Sequence, residues 1–152
     1  MRFCKVSELL DWVTSFHEAL AKQYGTLAEG AVKERAGMLL KYLSEHQQLL
    51  SEAMEKYESE AADSLLETWS DKCPDLDLPD TVTQLHSTLA DKDTSEIIGQ
   101  VIYFHGVLTD MYKTLAEEAT NPSVKALFEQ LSAMEQQETM RTVRDAQRLE
   151  DY

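Results

Sequence analysis

Residues 16–29 read FHEALAKQYGTLAE, and residues 104–117 read FHGVLTDMYKTLAE. Phe, His, Leu, Tyr, Thr, Leu, Ala and Glu recur in register between the two stretches. In both, the apolar positions fall at helical spacing. Amphipathic helices share leucines by chance. They share a Phe-His pair, a Tyr and a Thr-Leu-Ala-Glu run, in that order, much less readily. The stretches read as two copies of one helical unit. A weaker echo, Leu43-Ser44 against Leu131-Ser132, extends the duplication to a partner helix in each half.

Working outward, helix one begins at Ser7, a good N-cap with Glu8 near the dipole. It carries the stripe Leu9, Val13, Phe16, Leu20, Tyr24 and Leu27, and Gly30 marks its end. Helix two runs from about Lys33 to about Glu60 on the stripe Leu39, Tyr42, Leu43, His46, Leu50, Ala53 and Tyr57. Helix three starts at Asp93 or Thr94, where Asp93 with Glu96 three residues on resembles a capping box. Its stripe is Ile98, Val101, Ile102, His105, Leu108, Tyr112 and Leu115. Asn121-Pro122 supplies an N-cap followed by a proline at the first helical position, and opens helix four. Helix four continues through Val124, Leu127, Phe128, Leu131 and Met134.

Between the halves, residues 61–92 hold a short helical stretch, DSLLETW, and then a Pro- and Asp-rich segment with Pro74 and Pro79. Apolar anchors such as Leu65, Trp69, Val82 and Leu85 mark it as a crossover lying across a bundle and not as an inter-domain linker. The expected fold is all-α: one domain over 1–152, an antiparallel four-helix bundle. Hairpin one spans about 7–60, a long crossover about 61–92, and hairpin two about 93–150. One long crossover among four helices is the ferritin-like arrangement.

Composition agrees with this. The chain has 152 residues, with only 5 Gly and 3 Pro, which disfavours a turn-rich β protein. The net charge is -14. Such a surface repels phosphate backbones and anionic lipid, so nucleic acid and membranes are disfavoured as partners. The N-terminal MRFCKVSELLDW has no apolar stretch long enough for a signal peptide. Cys4 and Cys73 are far apart and form no CxxC pair, so a reducing, cytoplasmic setting is the default expectation.

Polar residues interrupt the inward faces at His17, His46, His105, Glu135 and Glu138. In an antiparallel hairpin, residues equally far from the turn are level. His17 lies about eleven residues before it and His46 about thirteen after it, a difference of a few Å at about 1.5 Å per residue. His105 and the Glu135/Glu138 pair are level in hairpin two by the same test. Three imidazoles and two carboxylates thus aim at one layer. Buried charge is costly unless paired or bound to a cation, and imidazole with carboxylate suits iron, zinc or manganese. Against this, a histidine on an apolar stripe is commonly a hydrogen-bonded core residue, and Glu135 and Glu138 would face water if helix four turned its polar side.

The chain resembles the ferritin-like superfamily, and rubrerythrin-like bundles in particular. There, the first helix carries a ligand Glu seven residues before a Tyr, with an Ala four residues further, and the third helix repeats the pattern. Here His17, Tyr24 and Ala28, and then His105, Tyr112 and Ala116, stand at that spacing. The family's second and fourth helices each carry Glu-x-x-His, set here against Leu43/His46 and Glu135/Glu138. Both single Glu positions are therefore His, and each Glu-x-x-His has lost one member. The resemblance implies one or two transition-metal ions in the core, with iron the first candidate, and oxygen or peroxide redox chemistry. His17, His46, His105, Glu135 and Glu138 would be the ligands, and Tyr24 and Tyr112 would be hydrogen-bonded behind them.

A second reading takes the incomplete ligand set at face value. It is a metal-free bundle serving as a structural or protein-interaction module, dimerising or binding another protein through helix four. A nucleophilic hydrolase or transferase has little support, because no GxSxG, P-loop or recognisable Cys–His setting occurs.

Overall fold

The computed structural model describes residues 2–73, 78–83, 85, 89 and 91–150. It is mostly helical. Strand β1 (Arg2–Lys5) runs directly into helix α1 (Val6–Gly30), and α2 (Glu34–Glu60) returns antiparallel after a three-residue connection. A short helix α3 (Asp63–Leu66) and strand β2 (Trp69–Cys73) follow, then a turn of helix, α4 (Asp80–Thr83). The chain ends with a second pair of long helices, α5 (Thr94–Glu118) and α6 (Pro122–Glu150). α1 packs along α2 and α5 along α6, and α2 also meets both α5 and α6. No helix among the described residues is long and apolar enough to cross a membrane.

The expected helix starts in the second half hold at the atomic level. Asp93 accepts a hydrogen bond from the Glu96 backbone N–H at 2.9 Å. Asn121 accepts from the Ser123 N–H at 2.8 Å, with Pro122 the first helical residue. α1 starts one residue before Ser7, at Val6, and no side chain caps it. The Val6 N–H instead donates to the Thr68 carbonyl at 2.9 Å, because β1 delivers the chain into the helix already paired.

That pairing was not expected. β1 and β2 form an antiparallel two-stranded sheet, with Cys4 opposite Ser70 and Lys5 opposite Trp69. Cys4 and Cys73 are joined by a disulfide across 69 residues of sequence. Sequence distance did not keep the two cysteines apart, because the crossover returns to the start of α1. Pro74, within the expected crossover, lies outside the described residues.

The core is apolar along both pairs. Leu9, Leu10, Val13, Phe16, Leu20 and Tyr24 of α1 meet Leu39, Leu40 and Leu43 of α2. Ile97, Val101, Phe104, Leu108 and Tyr112 of α5 meet Leu127, Phe128 and Leu131 of α6. Phe16 and Phe104, the first residues of the two sequence copies, touch edge to face at 6.2 Å between centroids. The buried line of α2 is turned from the expected one. Leu39, Leu43 and Leu50 of the expected stripe are buried, joined by Ala36, Leu40, Gln47, Ser51 and Met54, while Tyr42 and His46 sit at the rim and Ala53 is exposed.

Candidate functional site

Each of the four long helices contributes one polar side chain to the centre of this apolar core. They are His17, Gln47, His105 and Glu135, exposed by 1%, 1%, 2% and 0%. Helical pitch places them there: each interrupts a run of leucines and aromatics at the spacing that faces inward. His17 Nδ1 lies 2.6 Å from Gln47 Oε1, and His17 Nε2 lies 3.2 Å from Glu135 Oε1. His105 Nδ1 lies 2.8 Å from Glu135 Oε2, and His105 Nε2 lies 3.4 Å from Gln47 Nε2. The four side chains close a ring.

The donors and acceptors in that ring can be counted. An amide oxygen only accepts and an amide nitrogen only donates. His17 therefore donates from Nδ1 to Gln47 Oε1, and His105 Nε2 accepts from the Gln47 amide. His105 is then protonated at Nδ1, and donates that N–H to Glu135 Oε2. The fourth link needs one more proton, on His17 Nε2. With Glu135 ionised, closing all four links takes three protons over the two imidazoles. Exchanging the amide's oxygen and nitrogen changes which imidazole carries two of them and leaves that count unchanged. Either way both imidazoles present N–H groups to Glu135. Burial pushes the Glu135 carboxyl up, but the hydrogen bonds from His105 and His17 outweigh it and hold it down at about 2.

The sequence brought three of these four residues forward and missed Gln47. The signal was present: His17 precedes Gln47 by 30 residues, and His105 precedes Glu135 by the same 30. The 88-residue offset that superposes the two sequence copies carries His17 onto His105 and Gln47 onto Glu135. The ring therefore has the approximate two-fold symmetry of the duplication. Under that offset Leu50, and not His46, is the counterpart of Glu138.

His46 and Glu138 form a separate pair nearer the surface, with side chains exposed by 12% and 15%. His46 Nε2 and Glu138 Oε2 are 3.1 Å apart but out of line for a hydrogen bond, so both buried atoms lack a hydrogen-bond partner. Burial holds the His46 imidazole below its usual range against the opposing pull of the Glu138 carboxylate. At neutral pH the His46 imidazole is therefore uncharged. Tyr42 stacks on His46 with an 8° interplanar angle and donates to Asp145 at 2.9 Å. Burial first, then the bond to Asp145, pushes the Tyr42 phenol up to about 12.

Tyr24 and Tyr112, expected behind a ligand set, are both fully buried, and neither hydroxyl has a hydrogen-bond partner. Burial raises both phenols above their usual range, and the charge of Glu135 raises Tyr112 further. Among the described residues, no group of three or more His, Cys, Asp or Glu side chains is arranged around a common point as metal ligands would be. Comparison with protein-family models, curated proteins and solved structures finds no match to the chain.

Proposed function

We propose that the chain is a single-domain, ferritin-like four-helix bundle, over 1–152, in which a hydrogen-bonded ring takes the place of a metal centre. Its role is then exercised through its surface, as a protein-interaction module. The observation that carries this reading is the closure of the ring. One nitrogen each of His17 and His105 lies within hydrogen-bond distance of Glu135, and Gln47 pairs with the two far nitrogens. A metal at this point would have to displace protons that already satisfy the carboxylate. A closed polar network in an apolar core instead fixes which helix faces meet.

A second reading is favoured by a different observation. His46 Nε2 and Glu138 Oε2 are buried, 3.1 Å apart and without hydrogen bonds, a separation that two ligands of one ion also adopt. His46 and Glu138 would hold a transition metal there, iron being the resemblance's first candidate, with His17, His105 and Glu135 behind them. Such an ion, when bound, would supply oxygen or peroxide redox chemistry.

Metal content by plasma mass spectrometry decides between the two, on protein purified without a chelator and then incubated anaerobically with ferrous iron. The module reading predicts no stoichiometric metal and an unchanged melting temperature. Near-stoichiometric metal that disappears in His46→Ala would overturn it. The acidic surface supports neither nucleic acid nor an anionic membrane as partner. Disulfides persist in oxidising compartments. The Cys4–Cys73 bond therefore supports such a setting over the cytoplasmic one expected from the sequence.

A further inference from the structure

The duplication provides an internal control for the surface. α5 and α6 enclose a groove of about 500 Å³ lined by Ile102, Gly106, Asp110, Ala133 and Met140, among others. The 88-residue offset carries these positions onto Thr14, Glu18, Lys22, Glu45 and Glu52 of hairpin one. Four of these last five line the corresponding groove between α1 and α2. Hairpin one thus presents four charged side chains where hairpin two presents a glycine, an aspartate, an alanine and a methionine.

Burial also differs at one of these pairs, Ile102 and Thr14. Ile102 and Met140 are 46% and 68% exposed, whereas Thr14, on a helix that packs against α3 and α4, is only 8% exposed. Tyr103 and Val107 extend the uncovered apolar surface along α5. Two halves with the same helical pattern need the same residue types for internal packing. Internal packing does not require the loss of charge from one of them.

We infer that this face of hairpin two is a docking surface for a second copy of the chain, through a two-fold contact between α5/α6 faces. This rests on the interaction-module reading and names its partner. Three observations select the occupant. The chain carries a net charge of -14, so two copies meeting on most faces bring like charges together. Within this groove Asp110 is the one charged residue. A two-fold contact also requires a patch that holds both projection and hollow. Met140 and Ile102 project, while Gly106 and Ala133 leave room beside them.

The test is the solution mass of the full chain by light scattering behind gel filtration, across micromolar to sub-millimolar concentrations. The expected mass is twice the 17.3 kDa of one chain. The double variant Ala133→Glu/Met140→Glu installs the charges that hairpin one carries at Glu45 and Glu52, positions where the fold tolerates them. It should run as a monomer with an unchanged circular dichroism spectrum. The mirror variant Glu45→Ala/Glu52→Met should remain dimeric. A monomeric wild type, or a dimer that survives Ala133→Glu/Met140→Glu, would overturn the proposal. Metal analysis of the same samples keeps the two readings apart. Stoichiometric metal refutes the module reading whatever the mass, whereas a metal-free monomer refutes only the second copy.

Discussion

Replacing Glu135 by glutamine removes the one carboxylate of the ring and leaves its shape. The expected cost follows from the geometry. Glu135 is 0% exposed and accepts N–H groups from His105 at 2.8 Å and His17 at 3.2 Å. These bonds outweigh burial and bring its carboxyl from the usual 4.5 to about 2. At about 1.4 kcal/mol per unit, that difference is worth about 3 kcal/mol of stability at neutral pH. Breaking a buried pair by removing one partner costs a similar ~3–5 kcal/mol. For a chain of this length the melting temperature should fall by roughly 6–12 °C.

The sign with pH is fixed as well. Because the folded value is depressed, the contribution is fully present above the unfolded value of 4.5 and is lost as pH falls through about 2. Urea denaturation followed by circular dichroism, on wild type and Glu135→Gln, should show a gap of about 3 kcal/mol at pH 7 that narrows steadily below about pH 4.5. A gap under about 1 kcal/mol at pH 7, or one that does not narrow in acid, would refute the proton count proposed for the ring.

Three further outcomes are expected. Gln47→Glu would place a second carboxylate opposite Glu135, costing about 3 kcal/mol without metal, and added divalent zinc or manganese should restore the lost melting temperature. If it does not, the ring cannot be converted to a metal site by charge alone. Reducing Cys4–Cys73, which closes a loop across 69 residues, should cost about 4 kcal/mol, read as a melting shift with and without dithiothreitol. Asp93→Ala removes the side chain that caps α5 and should cost about 1 kcal/mol by urea denaturation, with an unchanged helix content at pH 7.

The four long helices were legible because their signals are local. Asn121-Pro122, Asp93 with Glu96, and the period of the leucines each act within a turn or two of one helix. The repeat added the pairing of halves. The sheet was not legible: RFCK is four residues long, and what makes it a strand is β2, which lies beyond α1, α2 and α3 in sequence. For the same reason the spacing of Cys4 and Cys73 said nothing about their bond.

In the site, His17, His105 and Glu135 stood out as ionisable groups on apolar stripes. Gln47 did not. Tyr42 and His46 look apolar enough to lead the stripe of α2 to one side, and Gln47 sits beside Gln48 on what reads as an amide-rich outer face. Three-dimensional packing rotates α2 so that Leu40, Gln47 and Met54 face inward and His46 moves to the rim. Extending the repeat register from α1 to α2 would have found Gln47, because Glu135 lies at its counterpart.

The most direct test of the ring is nitrogen NMR of the four histidines at neutral pH, with His17 and His105 assigned by substitution. The account predicts protons on His17 Nε2 and His105 Nδ1, the two nitrogens that face Glu135. Finding either of those nitrogens without a proton, whether bare or bound to a metal, would contradict it.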